Sequence, residues 1–98
     1  MIDELWKLVM DDNGFLVKLR EENYFDIESY NRIKYLLKKL VDKYNKNKNL
    51  PKKFVLIIIE LIQHLVAGNK FMDEEQQIKI EDAGLEIIDI LNEFYKYL

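Results

Sequence analysis

"PKKFVLIIIELIQHLVAG", residues 51–68, places eleven apolar side chains in the fourteen positions from Phe54 to Ala67. A run this apolar has three uses: crossing a membrane, filling a core, or meeting another protein. A membrane-spanning helix needs about 20 mostly apolar residues. This run is shorter and is interrupted by Glu60, Gln63 and His64. It therefore predicts a core helix rather than a membrane span. On a helical wheel Phe54, Val55, Ile58, Ile59, Leu61, Ile62, Leu65 and Val66 cover roughly half the circumference. Lys53, Glu60, Gln63, His64 and Ala67 share the other half with Leu56 and Ile57. So broad an apolar face suits a central helix with two or three neighbours. Pro51 is tolerated in the first turn, and Gly68 followed by Asn69 is a C-terminal stop.

The flanking segments carry narrower stripes. Upstream, Asp26 can cap a helix in which Tyr30, Ile33, Leu37, Leu40, Val41 and Tyr44 recur at spacings of three and four, with Leu36 at the edge. "NKNKNLPKK" then ends that helix as a solvated loop. Downstream, Asp73 with Gln76 three residues on has the spacing of a capping box, and Glu74 and Glu75 suit the first-turn dipole. Ile80, Ala83, Ile87, Ile88, Leu91, Phe94, Tyr95 and Leu98 form its apolar face, and Gly84 on that face permits a close helix crossing. Glu75, Asp82, Glu86, Asp89 and Glu93 line the opposite side.

Residues 2–22 are the least decided segment. Ile2, Leu5, Val9, Leu16 and Leu19 fit one helical stripe, while Asn13-Gly14 inside "MDDNGF" is a hairpin signal. Neither flank alternates, and a lone two-stranded hairpin is marginal, so helix is expected, with Gly14 free to bend or break it. The whole chain, 1–98, thus reads as one all-α domain, a small antiparallel bundle of three to four helices. Three glycines and one proline in 98 residues leave little material for the tight turns of a β-sandwich.

Charge is unevenly distributed. The formal net charge is −3. Residues 1–30 hold eight acids and three bases, residues 31–53 nine bases and Asp42, and residues 73–98 eight acids and two bases. A basic middle between acidic ends implies that much of the complementarity is internal or between copies. With no cysteine, disulfides, thiolate metal sites and cysteine nucleophiles are excluded. The acidic start "MIDELWKLVMDD" lacks the features of a signal peptide, so a cytoplasmic protein is expected.

The chemistry-bearing residues are sparse. His64 is the only histidine and can bond Glu60 four residues earlier, which reads as a partly exposed helix residue. Asp82, Glu86, Asp89 and Glu93 have spacings that could converge on Mg²⁺, but no second acidic helix with an E-E-x-x-E pattern faces them. No phosphate-cradling glycine loop is present, so neither an enzyme nor a cofactor is expected. The lysine-rich stretch from Arg32 to Lys53, including Lys46 and Lys48, with Tyr35 as a stacking candidate, raises nucleic acid. The acidic remainder of the chain argues against it.

The more informative residues are apolar ones off the core stripes. Ile78 and Leu85 lie seven apart beside Asp82 and Asp89, and Leu56 and Ile57 fall on a polar half. Tyr35, Trp6 and Phe15 are aromatic candidates. Hydrophobes rimmed by charge are typical of interface centres. The expected function is a non-catalytic protein-binding module, of the size of a stoichiometric inhibitor, immunity protein or antitoxin. Its partner-binding residues are expected to be Ile78, Asp82, Leu85, Glu86, Asp89, Glu93 and Tyr35, meeting a basic protein surface. The alternatives are a homodimer pairing basic with acidic helices, and, behind it, a Mg²⁺-dependent hydrolase.

Overall fold

The computed structural model describes residues 1–45, 49–67 and 72–95, with Phe94 and Tyr95 described by backbone alone. Five α-helices and no strand occur among the described residues: α1 (Ile2–Met10), α2 (Phe15–Glu21), α3 (Ile27–Tyr44), α4 (Lys52–Ala67) and α5 (Glu74–Tyr95). The small all-α bundle expected from the periodicities is the observed architecture. The proposed helix stop at Gly68 and Asn69, the bases Lys46 and Lys48, and Leu98 lie outside the described residues.

The first segment is two helices rather than one. The Gly14 amide donates to the Asp11 carbonyl at 2.8 Å, closing a turn between α1 and α2. A Cβ at Gly14 would stand 2.9 Å from the Asp11 carbonyl oxygen and 3.0 Å from that of Val9, so only glycine fits there. The apolar stripe continues through the break: Leu5, Val9, Phe15, Leu16 and Leu19 are all buried.

Helix α3 begins as its sequence demands. Asp26 accepts from the Ser29 amide (3.3 Å) and the Ser29 hydroxyl (2.8 Å), and pairs with Lys18 of α2 at 2.9 Å. Burial pushes the Asp26 carboxyl up, but the bonds from Lys18 and Ser29 outweigh it and hold the pKa below its ordinary value. At α5, the Gln76 amide bonds the Asp73 carboxylate at 2.8 Å, the forward half of a capping box. The Gln76 side-chain oxygen does not complete the box; it is buried without a hydrogen-bond partner among the described residues.

The four longer helices form a ring in the order α1, α3, α5, α4, with α2 packed against α1. Helix α1 runs against α3, with Glu4 at Arg32 and the Gly14 turn at Ser29, whereas α3 and α5 run the same way. Tyr30 reaches the Ala83 carbonyl, Lys34 reaches Glu86, and Lys38 and Asp42 share a recess with Asp89 and Glu93. No polar or charged residue is buried among the described residues. Phe15, Phe25 and Tyr30 close one end of the core with ring centroids 5.3–6.0 Å apart.

Helix α4 departs from its expected role. It has two neighbours, α1 and α5, but is one member of a ring rather than its centre; among the described residues α3 carries the broadest buried stripe, formed by Tyr30, Ile33, Leu36, Leu37, Leu40 and Val41. On α4 only Phe54, Ile57, Leu61 and Leu65 are fully buried. Ile57, expected on the polar half, is 0% exposed, whereas Val55, Ile59 and Val66, expected in the core, are exposed. Packing between α1 and α5 turns the buried stripe about one residue's rotation from the position that Glu60 and His64 suggested. No helix among the described residues is long and apolar enough to cross a membrane.

Candidate protein-binding face

The seven residues expected to form a binding face divide into three groups. Ile78, Asp82, Leu85 and Asp89 follow one another on α5 at spacings of four, three and four, so they share a stripe. That stripe faces away from the core: Ile78 is 51% and Leu85 67% exposed, and both acids are exposed. Neither Asp82 nor Asp89 forms an ion pair with a described residue. These four constitute one coherent surface of hydrophobes flanked by carboxylates.

Glu86 and Glu93 sit on the flank of α5 that turns toward α3. Glu86 accepts from Lys34 at 2.7 Å. That hydrogen bond holds the Glu86 carboxyl below its ordinary value against partial desolvation, and the same carboxylate, after burial, pushes the Tyr30 phenol well above its own. Glu86 is therefore already committed within the fold. Glu93 lines a recess of about 220 Å³ with Lys38, Val41, Asp42, Asp89 and Ile90, at the same charged boundary.

Tyr35 is exposed on α3, with the Arg32 guanidinium 5.2 Å and the Lys39 ammonium 5.5 Å from its ring centroid. Its ring is flanked by cations of its own helix, apart from the α5 stripe. Of the other candidates, Phe15 is a core residue, and Trp6 is half-buried with Lys53 over its ring at 5.6 Å. Leu56 is exposed as expected, but on α4. The Glu60–His64 contact forms at 3.2 Å.

Among the described residues three ion pairs join neighbouring helices of the ring: Arg32 with Glu4, Lys34 with Glu86, and Lys53 with Asp3. Each links the basic middle of the chain to an acidic end, so the charge pattern is satisfied at least in part within one molecule. No group of three or more His, Asp or Glu able to hold a metal ion occurs among the described residues. On α5, Glu86 is engaged by Lys34.

Sequence reasoning missed the exposed aliphatics of α4. Val55, Ile59 and Val66 repeat at spacings of four and seven, which is helical one-face spacing; within a run almost wholly apolar it could not be told from the core stripe. No protein-family model, curated protein or solved structure matches the chain.

Proposed function

We propose that this chain is a non-catalytic protein-binding module whose α5 outer stripe docks a partner with a basic surface. The observation that carries this reading is the alternation of exposed Ile78 and Leu85 with the carboxylates of Asp82 and Asp89, which form no ion pair with a described residue. Carboxylates at the margin steer a cationic partner and speed encounter, while aliphatic side chains supply the desolvated contact that slows release. The contributors are Ile78, Asp82, Leu85 and Asp89; Glu86 and Glu93 belong to the charged boundary with α3, and Tyr35 to the cations of its own helix. The size suits a stoichiometric inhibitor of immunity or antitoxin type, a likeness of scale alone. The absence of cysteine is compatible with work in a reducing cytoplasm.

The test is comparative capture. The immobilised protein and an Asp82→Lys/Asp89→Lys variant are exposed to the same host extract. A protein retained by the first and lost by the second, with an on-rate that falls as salt rises, is the expected result. Equal retention by both removes this stripe from the reading. A homodimer driven by charge is the weaker reading, since Arg32, Lys34 and Lys53 already meet acids of their own chain.

A further inference from the structure

We propose that the apolar furrow between α4 and α5 seats an amphipathic helix of the partner, with aliphatic residues on its inner face and lysines or arginines along its flank; this rests on the protein-binding reading above and extends its site across α4.

Helix geometry places the furrow. Lys53 bonds Asp3 and lies over Trp6, so the flank of α4 that carries Lys53, Glu60 and His64 is the α1 side. About 100° per residue then puts Val55, Ile59, Ile62 and Val66 on the other flank, toward α5. On α5, Glu86 marks the α3 side through Lys34, and Gly84 abuts Leu65 of α4. Leu85 and Ile88 follow Gly84 around the α4 side. Val55, Ile59, Val66, Leu85 and Ile88 are all exposed, Val66 by 66%.

The other seams of the ring are closed by charge: α1/α3 by Arg32–Glu4, α3/α5 by Lys34–Glu86, α1/α4 by Lys53–Asp3. Among the described residues no ion pair crosses α4/α5, and branched aliphatics stand at its edge instead. Their exposed surface is on the order of 500 Å², short of the ~800 Å² that each side of a standard interface buries, which sets the contact in the weak, transient class. From Val55 to Val66 the furrow runs about 16 Å, three helical turns.

Charge selects the occupant. On the α4 side of α5 Glu81 stands exposed between Ile88 and Leu85, with Asp82 and Asp89 on the outer face beyond Leu85, whereas the outer α4 wall carries a cation only at Lys52. Glu60 and His64 occupy the far side of α4 and bond each other. Lysines or arginines on the docking helix would meet the acidic rim. A second copy apposed through the same face would bring α5 acids toward their counterparts, with its inter-helix cations already engaged.

The probe is a labelled 18-residue synthetic helix with leucines at alternating spacings of three and four and lysines on one flank, titrated into the full chain and followed by ¹⁵N and methyl NMR. The expected result is micromolar affinity, with shifts centred on Val55, Ile59, Val66, Leu85 and Ile88. Val66→Glu and Leu85→Glu should each weaken binding at least about tenfold with the circular-dichroism spectrum unchanged. A peptide of the same charge with scrambled leucines should bind at least tenfold more weakly than the probe. Shifts confined to Ile78, Asp82 and Asp89 with α4 silent would overturn the furrow while leaving the α5 reading intact. Equal binding of both peptides, or no binding, would also overturn it. Concentration-dependent dimerisation of the free protein that Val66→Glu abolishes would assign the face to a second copy and overturn it equally.

Discussion

Helix α5 has two lateral neighbours and is held to them by different forces. Toward α3 the boundary is charged: Lys34 grips Glu86, and Lys38 and Asp42 look across a shallow recess to Asp89 and Glu93. Toward α4 it is made of hydrocarbon, with Leu65 against Gly84 and aliphatic side chains continuing outward. The charged boundary has direction and is weakened by salt and acid; the hydrocarbon one is indifferent to both. An ion pair also finishes an edge, because its groups are satisfied by each other and by water. An aliphatic edge exposed to water keeps a driving force toward whatever can cover it.

The contrast breaks most sharply in the core. Leu65→Ala removes a side chain 1% exposed at the α4/α5 contact and should cost about 2–4 kcal/mol in urea unfolding. A loss below about 1 kcal/mol would show that packing does not hold this boundary. Gly84→Ala is predicted to stabilise by about 0.5–1 kcal/mol. Its new methyl would meet the Leu65 Cβ at 3.6 Å, an ordinary contact, while backbone freedom in the unfolded chain is reduced. A destabilised variant would mean that the crossing is tighter than described.

At the charged boundary the effects are smaller. Lys34→Met should cost about 0.2–1 kcal/mol, since both partners are partly exposed. Its pH dependence sharpens the comparison. The folded pKa of Glu86 lies below its ordinary value of 4.5, so the contribution is fully present above that value and is lost as pH falls through the lower folded one. The stability gap between wild type and Lys34→Met should therefore close as pH falls below 4.5 and through the lower folded value, while the Leu65→Ala deficit persists across the same range. Smallest of all, Val66→Ser on the outer edge should change stability by less than about 0.5 kcal/mol. A larger loss would show that Val66 is covered in the free protein.

How legible this was depended on local contrast in the sequence. In α3, apolar residues stand among lysines, and every expected stripe residue from Tyr30 to Val41 is buried. The Asp26 and Asp73 caps were equally readable, because a cap is a short-range bond that needs no knowledge of neighbours. In α4 almost every position is apolar, so the pattern gives little sense of rotation. Its few polar markers misled as well: Glu60 and His64 are half-buried and bonded to each other, which frees them from facing bulk water. On α5 the row Ile78, Asp82, Leu85 and Asp89 was visible from spacing alone. That Glu86 leaves the row's chemistry depends on Lys34, fifty-two positions away in the chain. The break at Gly14 was signalled by Asn13-Gly14, but the stripe on either side keeps helical phase through the turn, which disguised two helices as one.

The order of helices around the ring has a consequence for how the chain is made. Leu5 and Val9 on α1 are 0% exposed, and one of the helices that cover α1 is α4, whose first residue is Lys52. At synthesis rates of about 5–20 residues per second, α1 emerges roughly 2–10 seconds ahead of that cover. For those seconds its hydrophobic side has only α2 and α3 to lean on, and the final helix must arrive before the ring can close. Until α4 arrives, Leu5 and Val9 lack part of the cover that the finished fold gives them.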